Sequence, residues 1–275
     1  MKDMNLSVMR TVEEIDVLRN QAYEIRRKLI VLHARASTSH IGSALSSVEI
    51  LVALYFEIMN LITDKFILSK GHAVSALYST LVQKGILSEE CLDSYCVDNG
   101  SLHGHPDRTM IPQVFVSTGS LGHGLPIGVG VAFGAKVNRD RDRVFILLGD
   151  GDLQEGTFWE AANMAGRLKL DNLIAIIDAN KLQAFERAAN ILPIDIVKGT
   201  FLSLGWGMKE VDGHNMTELI EHLEAMPFQN KMPSVLIANT VKGKGVKAFE
   251  DKLEWHYKSP PIDQLDMYLS ELRKI

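Results

Sequence analysis

The sequence predicts a single α/β domain of three layers, with helices on both faces of a mostly parallel sheet, over residues 1–275. Three observations carry this expectation. Two short runs, RVFILL at 143–148 and LIAII at 173–177, are almost wholly apolar, as strands buried on both faces are. Such runs alternate with segments of helical apolar spacing, which is the order of a sheet wound with crossover helices. No internal repeat, low-complexity tract or linker divides the chain. Its 275 residues, 46% hydrophobic and 23% charged, suffice for one large core.

The elements follow in order. Residues 11–33 read as a charged amphipathic helix and 46–59 as a second, more buried one. The short apolar run 66–68 is a strand, and 73–84 is helical again. Residues 97–120 concentrate Gly, Pro, Asp and Ser and form a long loop. A loop of that length in a compact domain is usually functional. A glycine-rich apolar helix spans 122–137, followed by strand 143–148, helix 155–168 and strand 173–177. The remainder reads as helix 196–204, strand 206–211, helix 216–223, strand 234–238 and a terminal amphipathic helix at 265–274.

Composition excludes several functions. A net charge of -5 gives no electrostatic basis for nucleic-acid binding. No apolar run approaches the roughly 18 residues of a membrane span. The charged N-terminal stretch 1–27 lacks the apolar core of a signal peptide, so a cytoplasmic location is expected. Cys91 and Cys96 match neither a zinc nor a redox spacing and are expected as free thiols.

In open α/β sheets, ligands sit at the carboxyl ends of the strands. GDGDLQEG (149–156) follows the first apolar strand, and DANKLQ (178–183) follows the next. Asp150 and Asn180 supply hard oxygen donors suited to magnesium or calcium. Gly149 and Gly151 let backbone turn sharply close to a phosphate, and a helix beginning near Asp152 turns its N-terminus toward the same point. Metal and phosphate sites in one place imply a diphosphate–metal ligand. The plainer reading, in which Asp150 caps the helix, fits GDG alone but does not account for the paired DANKLQ segment.

These two segments together resemble the thiamine diphosphate signature. Further motifs narrow the resemblance to transketolase, in its N-terminal, diphosphate-binding half. They are SHIGSALSS (39–47), LSKGHA (68–73), GHP (104–106), TGSLGHG (118–124), VDGH (211–214), VKGKG (241–245) and WH (255–256). They stand in family order over nearly the whole chain, although His123 occupies a position where family members often carry Gln.

The resemblance implies the thiamine diphosphate-binding fold and a set of roles. Asp150 and Asn180 would bind Mg2+ (or Ca2+) by their side chains and Leu182 by its carbonyl. Gly151 and His72 would meet the diphosphate, with Lys242 nearby, and Gly119 and Leu121 would line the cofactor. His40, His72, His105 and His256 would surround the reactive carbon. His40 and His256 would handle the C3 hydroxyl of the sugar, and His105 the C1 hydroxyl. Glu155, with Glu160 beside it, would belong to a carboxylate network near a dimer interface. His33, His103, His214 and His222 are expected to be ordinary packed or surface residues.

The implied activity is transfer of a two-carbon ketol unit from a ketose phosphate to an aldose phosphate. The family's activating glutamate lies in a second domain that this chain does not reach. A split enzyme is therefore expected, in which a C-terminal subunit completes a heterotetramer. Half of a 1-deoxyxylulose-5-phosphate synthase, or a non-catalytic subunit of the same fold, are the alternatives. A 2-oxo acid dehydrogenase subunit fits the sugar-type histidines poorly. A dinucleotide-dependent oxidoreductase is disfavoured because GVGVAFG (128–134) reads as helix interior and does not follow a strand.

Overall fold

The computed structural model describes residues 10–273, which leaves Lys274 of the expected terminal helix outside the described residues. Five strands form one sheet: β1 (Lys65–Leu68), β2 (Val144–Gly149), β3 (Leu173–Ala179), β4 (Gly207–Asp212) and β5 (Ser234–Asn239). All pairings are parallel and the order is β1-β2-β3-β5-β4. The two apolar runs are the central strands β2 and β3, which are buried at every position.

Alternate residues of each strand feed two cores, as the period of two requires. Phe145, Leu147, Ile174, Ile176 and Leu236 enter the core on one face. Helices α1 (Val12–Ala36), α2 (Ile41–Ser46), α3 (Val48–Val52), α4 (Val74–Gln83) and, further on, α9 (Met216–Glu224) supply apolar residues to this core. Val144, Ile146, Leu148, Ala175 and Ile177 enter the other core. There they pack with α5 (Gly124–Asn138), α6 (Gly156–Leu168) and α8 (Ile194–Ser203), the last preceded by the single turn α7 (Ala188–Ile191). Helix α10 (Leu265–Glu271) packs against α1. The predicted three layers are present.

Helix α1 starts where the sequence places it. Thr11 accepts from the Glu14 amide and Glu14 returns the bond, a capping box worth about 1 kcal/mol. The second expected helix, 46–59, differs. It begins earlier, at Ile41, re-forms at Val48, and its last stretch, Ala53–Ile58, is a π-turn. Apolar periodicity locates the buried stretch but not its start, because His40 opens α2 in a left-handed conformation (φ 72°) without a side-chain cap. Likewise a 3-10 turn covers Asp152–Gln154 and α6 begins only at Gly156. GVGVAFG lies inside α5.

Helix α6 approaches the end of α8 so closely that Gly166 has no room for a side chain. A Cβ there would stand 1.8 Å from the Leu204 carbonyl oxygen. Gly166→Ala forces two backbones apart, and a loss of about 1–3 kcal/mol is expected, read as a lower urea midpoint at unchanged slope. Among the described residues no helix is long and apolar enough to cross a membrane.

Candidate functional site

The carboxyl ends of β1, β2, β3 and β5 point to one edge of the sheet, and the chemistry-bearing residues sit just past them. Ser69 and Lys70 follow β1, Asp150 follows β2, Asn180 follows β3, and Thr240 to Lys242 follow β5. Here a cleft of about 520 Å³ opens. His40, His72, His105, Gly119, Leu121, Asp150, Gly151, Glu155, Asn180, Leu182 and His256 all line it, so eleven of the twelve expected site residues meet in one place. The twelfth, Lys242, is fully buried immediately behind the wall.

The expected metal ligands fit a cation. Asp150 is buried and its Oδ2 has no hydrogen-bond partner. An orphaned buried carboxylate oxygen is costly unless a cation or proton meets it. Burial, reinforced by the negative charge of Asp178, pushes the Asp150 carboxyl up to about 7. The Asn180 Oδ1 accepts from the Leu182 amide at 3.2 Å, which holds the two expected ligand residues together. A carboxylate, an amide oxygen and a carbonyl oxygen are the donor set of a hard divalent ion.

Behind these ligands lies an ion pair that the motifs leave unassigned. Asp178, the buried acidic residue near the end of β3, takes hydrogen bonds from the hydroxyls of Ser46 (2.6 Å), Ser47 (3.2 Å) and Thr240, and pairs with the Lys70 ammonium. Burial alone would raise the Asp178 carboxyl, but the Lys70 charge and the hydroxyls outweigh it and hold it below the usual range. Lys70 also donates to the Ser43 carbonyl at 3.0 Å. The sequence does hold a signal for the pair: an acidic residue ending an otherwise apolar buried strand requires a partner, and LSKGHA supplies a lysine flanked by apolar sequence.

Asp152 is the other unassigned carboxylate. It accepts from the Ser69 hydroxyl (2.7 Å), the Gly122 amide (2.8 Å) and the Gly149 amide (2.9 Å). One side chain thus ties the ends of β1 and β2 to the loop carrying Gly119 and Leu121. Asp150 is therefore not the residue that stabilises this turn. Gly122 meets Asp152 at φ 76°, with Glu155 so near that a Cβ would lie 2.3 Å from the Glu155 Cβ; a side chain fits there neither conformationally nor sterically.

Three histidine rings gather above the metal segment. The centroid separations are 4.7 Å for His40–His256, 5.1 Å for His40–His72 and 5.8 Å for His72–His256. Burial, followed by nearby positive groups, lowers His40 to about 4 and His256 to about 3, and drives His72 well down, so all three are neutral at pH 7. His105, at the mouth, is lowered by its partial burial. The Lys242 ammonium is 2.9 Å from His256 Nδ1 and 3.2 Å from the carbonyls of Leu182 and Gln183. A lysine can only donate to Nδ1, so His256 carries its proton on Nε2. Burial and the charge of Lys70 lower Lys242 to about 8.

His33, His103, His214 and His222 stay out of the cleft, as expected, and so does His123, which the sequence leaves open. His103 pairs with Asp107 (3.3 Å), His222 bonds to the Glu218 carbonyl, and His123 folds back on the Leu121 carbonyl. His33 is buried and His214 half-buried, each held in a polar network outside the cleft lining. Glu155 and Glu160 are exposed. Cys91 and Cys96 are free thiols.

Comparison with known proteins agrees with this geometry. Residues 19–266 match the family model described as transketolase, thiamine diphosphate binding domain. The chain is 37% identical over 267 residues to an apulose-4-phosphate transketolase subunit of Phocaeicola vulgatus, covering 94% of this chain and 95% of that one. It is 33% identical to a 6-deoxy-6-sulfo-D-fructose transketolase subunit of Clostridium sp., covering 95% and 98%. Human transketolase is 36% identical over 94% of this chain, but only 42% of its own length is covered. The crystal structure of a transketolase from Pichia stipitis superposes with a TM-score of 0.82 at 29% identity, covering 92% of this chain and 40% of that one. The chain thus spans about two fifths of the full-length transketolases and nearly all of the subunit-type relatives.

Proposed function

We propose, proceeding from the fact that this chain belongs to the transketolase thiamine diphosphate-binding domain family, that it holds the diphosphate and metal end of the cofactor in a two-subunit ketol-transferring enzyme. The subunit-type relatives identify it as the N-terminal subunit of a split transketolase. Its activity, partner and substrate are read from the site as follows.

The observation that carries the reading is the three neutral imidazoles set over a buried carboxylate whose Oδ2 is unpartnered. Asp150, Asn180 and the Leu182 carbonyl would hold magnesium, and the cation with Lys70 and Lys242 would balance the diphosphate charge. Thiamine diphosphate, when bound, supplies the nucleophilic carbon that carries the two-carbon unit between donor and acceptor. The histidines move protons. His40, which lines the cleft, would take the proton of the sugar C3 hydroxyl and return it to the acceptor. His256 presents its Nε2–H as a donor to the same oxygen, and His105 at the mouth reaches the C1 hydroxyl. The charge of Lys70 helps lower all three rings of the cluster, and that of Lys242 does the same. A diphosphate that balanced those charges would remove that smaller part of the lowering, while the larger part, from burial, would remain.

The partner subunit would supply the group that activates the cofactor's other end and would complete a cytoplasmic heterotetramer. Exposed apolar side chains on α5 and α6, namely Phe133, Val137 and Met164, support a subunit contact on that face, beside the exposed Glu155 and Glu160. The names of the relatives point to ketose phosphates or sulfonates with unusual skeletons as donors.

Reconstitution tests this. The purified chain with thiamine diphosphate, Mg2+, a ketose donor and an aldose phosphate is expected to show no turnover. Addition of a C-terminal transketolase subunit from the same genome is expected to start it. Turnover by the chain alone, or none by the pair with every donor tried, would sink the proposal.

A further inference from the structure

The turn that aims His40 into the cleft is built against the preference of its own residues. Ser37 closes α1 at φ 51° and His40 opens α2 at φ 72°. Both are left-handed, a region that residues with a Cβ enter at a cost. Two such residues within four positions persist only where surrounding contacts over-determine them.

Those contacts converge on His33, which is fully buried. Its Nδ1 lies 3.0 Å from both the carbonyl and the hydroxyl of Thr38, and its Nε2 lies 2.9 Å from the Ser75 hydroxyl. A carbonyl only accepts, so Nδ1 carries the proton and Nε2 accepts from Ser75. Burial lowers His33 to about 4, in keeping with this neutral form. Thr38 stands two residues before His40, and Ser75 three after His72. Tyr95 packs edge-on to the His33 ring at 6.0 Å and, on its other side, against the Tyr78 ring at 6.4 Å. Beside it, Tyr78 donates to the His105 carbonyl at 3.3 Å. None of these groups faces the cleft.

We propose that His33 is a positioning residue, a neutral clamp that holds the strained Ser37–His40 turn and, through Ser75 and Tyr95, keeps the segments of His72 and His105 in register with it. The catalytic part of this rests on the transketolase reading; the clamp itself does not. The His40 amide, which donates to the His256 carbonyl at 3.1 Å, reports on the clamp without any turnover.

Three forms of the chain separate positioning from packing. His33→Leu keeps the volume but loses the hydrogen bonds to Thr38 and Ser75. His33→Asn keeps an N–H near the Nδ1 position. Ser37→Gly in the His33→Leu background relieves part of the strain that the clamp opposes. In His33→Leu, hydrogen exchange at the His40 amide is expected to quicken at least ~10-fold, and kcat of the reconstituted pair to fall ~10-fold or more with the donor KM little changed. His33→Asn and the double variant are expected to regain most of both. Wild-type protection of His40 in His33→Leu would overturn the proposal, as would equal loss in all three forms, which marks a packing role. If His33→Leu does not fold, full protection in His33→Asn supports the clamp and its loss there overturns it. If the unmodified pair shows no ketol transfer, the functional reading fails, and the exchange measurement still decides the clamp.

Discussion

Replacing Asp150 with asparagine is expected to abolish metal-dependent function while stabilising the empty protein at alkaline pH. The two effects have one cause. The Asp150 carboxyl is buried, near Asp178, and its Oδ2 has no partner. Ionising it without a cation is unfavourable, which is why its pKa rises from 3.8 to about 7. Between these values the folded chain binds more protons than the unfolded one, so stability falls as pH rises through the window from about 4 to about 7. Above it the penalty is complete, on the order of 4 kcal/mol. The asparagine side chain cannot ionise, so the variant gains stability above pH 7 and differs little on this account below pH 4. Divalent ions relieve the same penalty in the native chain. Below about pH 7 a proton competes with the ion, and metal affinity is expected to fall roughly tenfold per pH unit. The variant loses both the pH slope and at least ~100-fold in affinity, and turnover with them. Urea melts at pH 5 and pH 8, with and without Mg2+, measure all of this. Equal stabilisation by Mg2+ in both proteins would mean that the ion binds elsewhere.

Much of this site is legible in the sequence because its parts obey local rules. RVFILL and LIAII fit only buried strands, and ligand-bearing segments follow buried parallel strands at their carboxyl ends. Asp150 and Asn180 are therefore readable from their positions alone, and the histidines from motif order. For Lys70 and Asp178 the sequence signals only that a buried acid needs a partner; which residue meets it is not readable, because the partnership spans 108 residues and depends on strand order, which no local pattern encodes. Asp152 has the position of a helix start. Only the fold shows that it gathers amides from two other segments. The broken helix at 41–58 escapes the sequence for a related reason. Periodicity reports which face is buried, while the left-handed opening at His40 is imposed by contacts with α1 and with the His256 carbonyl.

The Lys70–Asp178 pair separates architecture from function. Both side chains are almost fully buried. Removing one member strands the other. In Asp178→Leu, the Lys70 ammonium keeps the Ser43 carbonyl but loses its counter-ion; in Lys70→Met, Asp178 keeps three hydroxyls but loses its cation. Each single variant is expected to lose about 3–5 kcal/mol, the usual cost of an uncompensated buried charge. The double variant Lys70→Met/Asp178→Leu carries no stranded charge. It is expected to lose less than the sum of the singles by about 2 kcal/mol or more, a coupling measurable by urea denaturation. Strictly additive losses would show that the pair is screened or that water reaches it. Cofactor affinity is expected to behave differently. Lys70 lines the cleft beside Gly149, where the proposed function puts the diphosphate. Losing its charge therefore weakens thiamine diphosphate binding in Lys70→Met and in the double variant alike. Recovery of stability without recovery of affinity would identify Lys70 as a cofactor-binding cation whose counter-ion, Asp178, exists to keep it charged and in place.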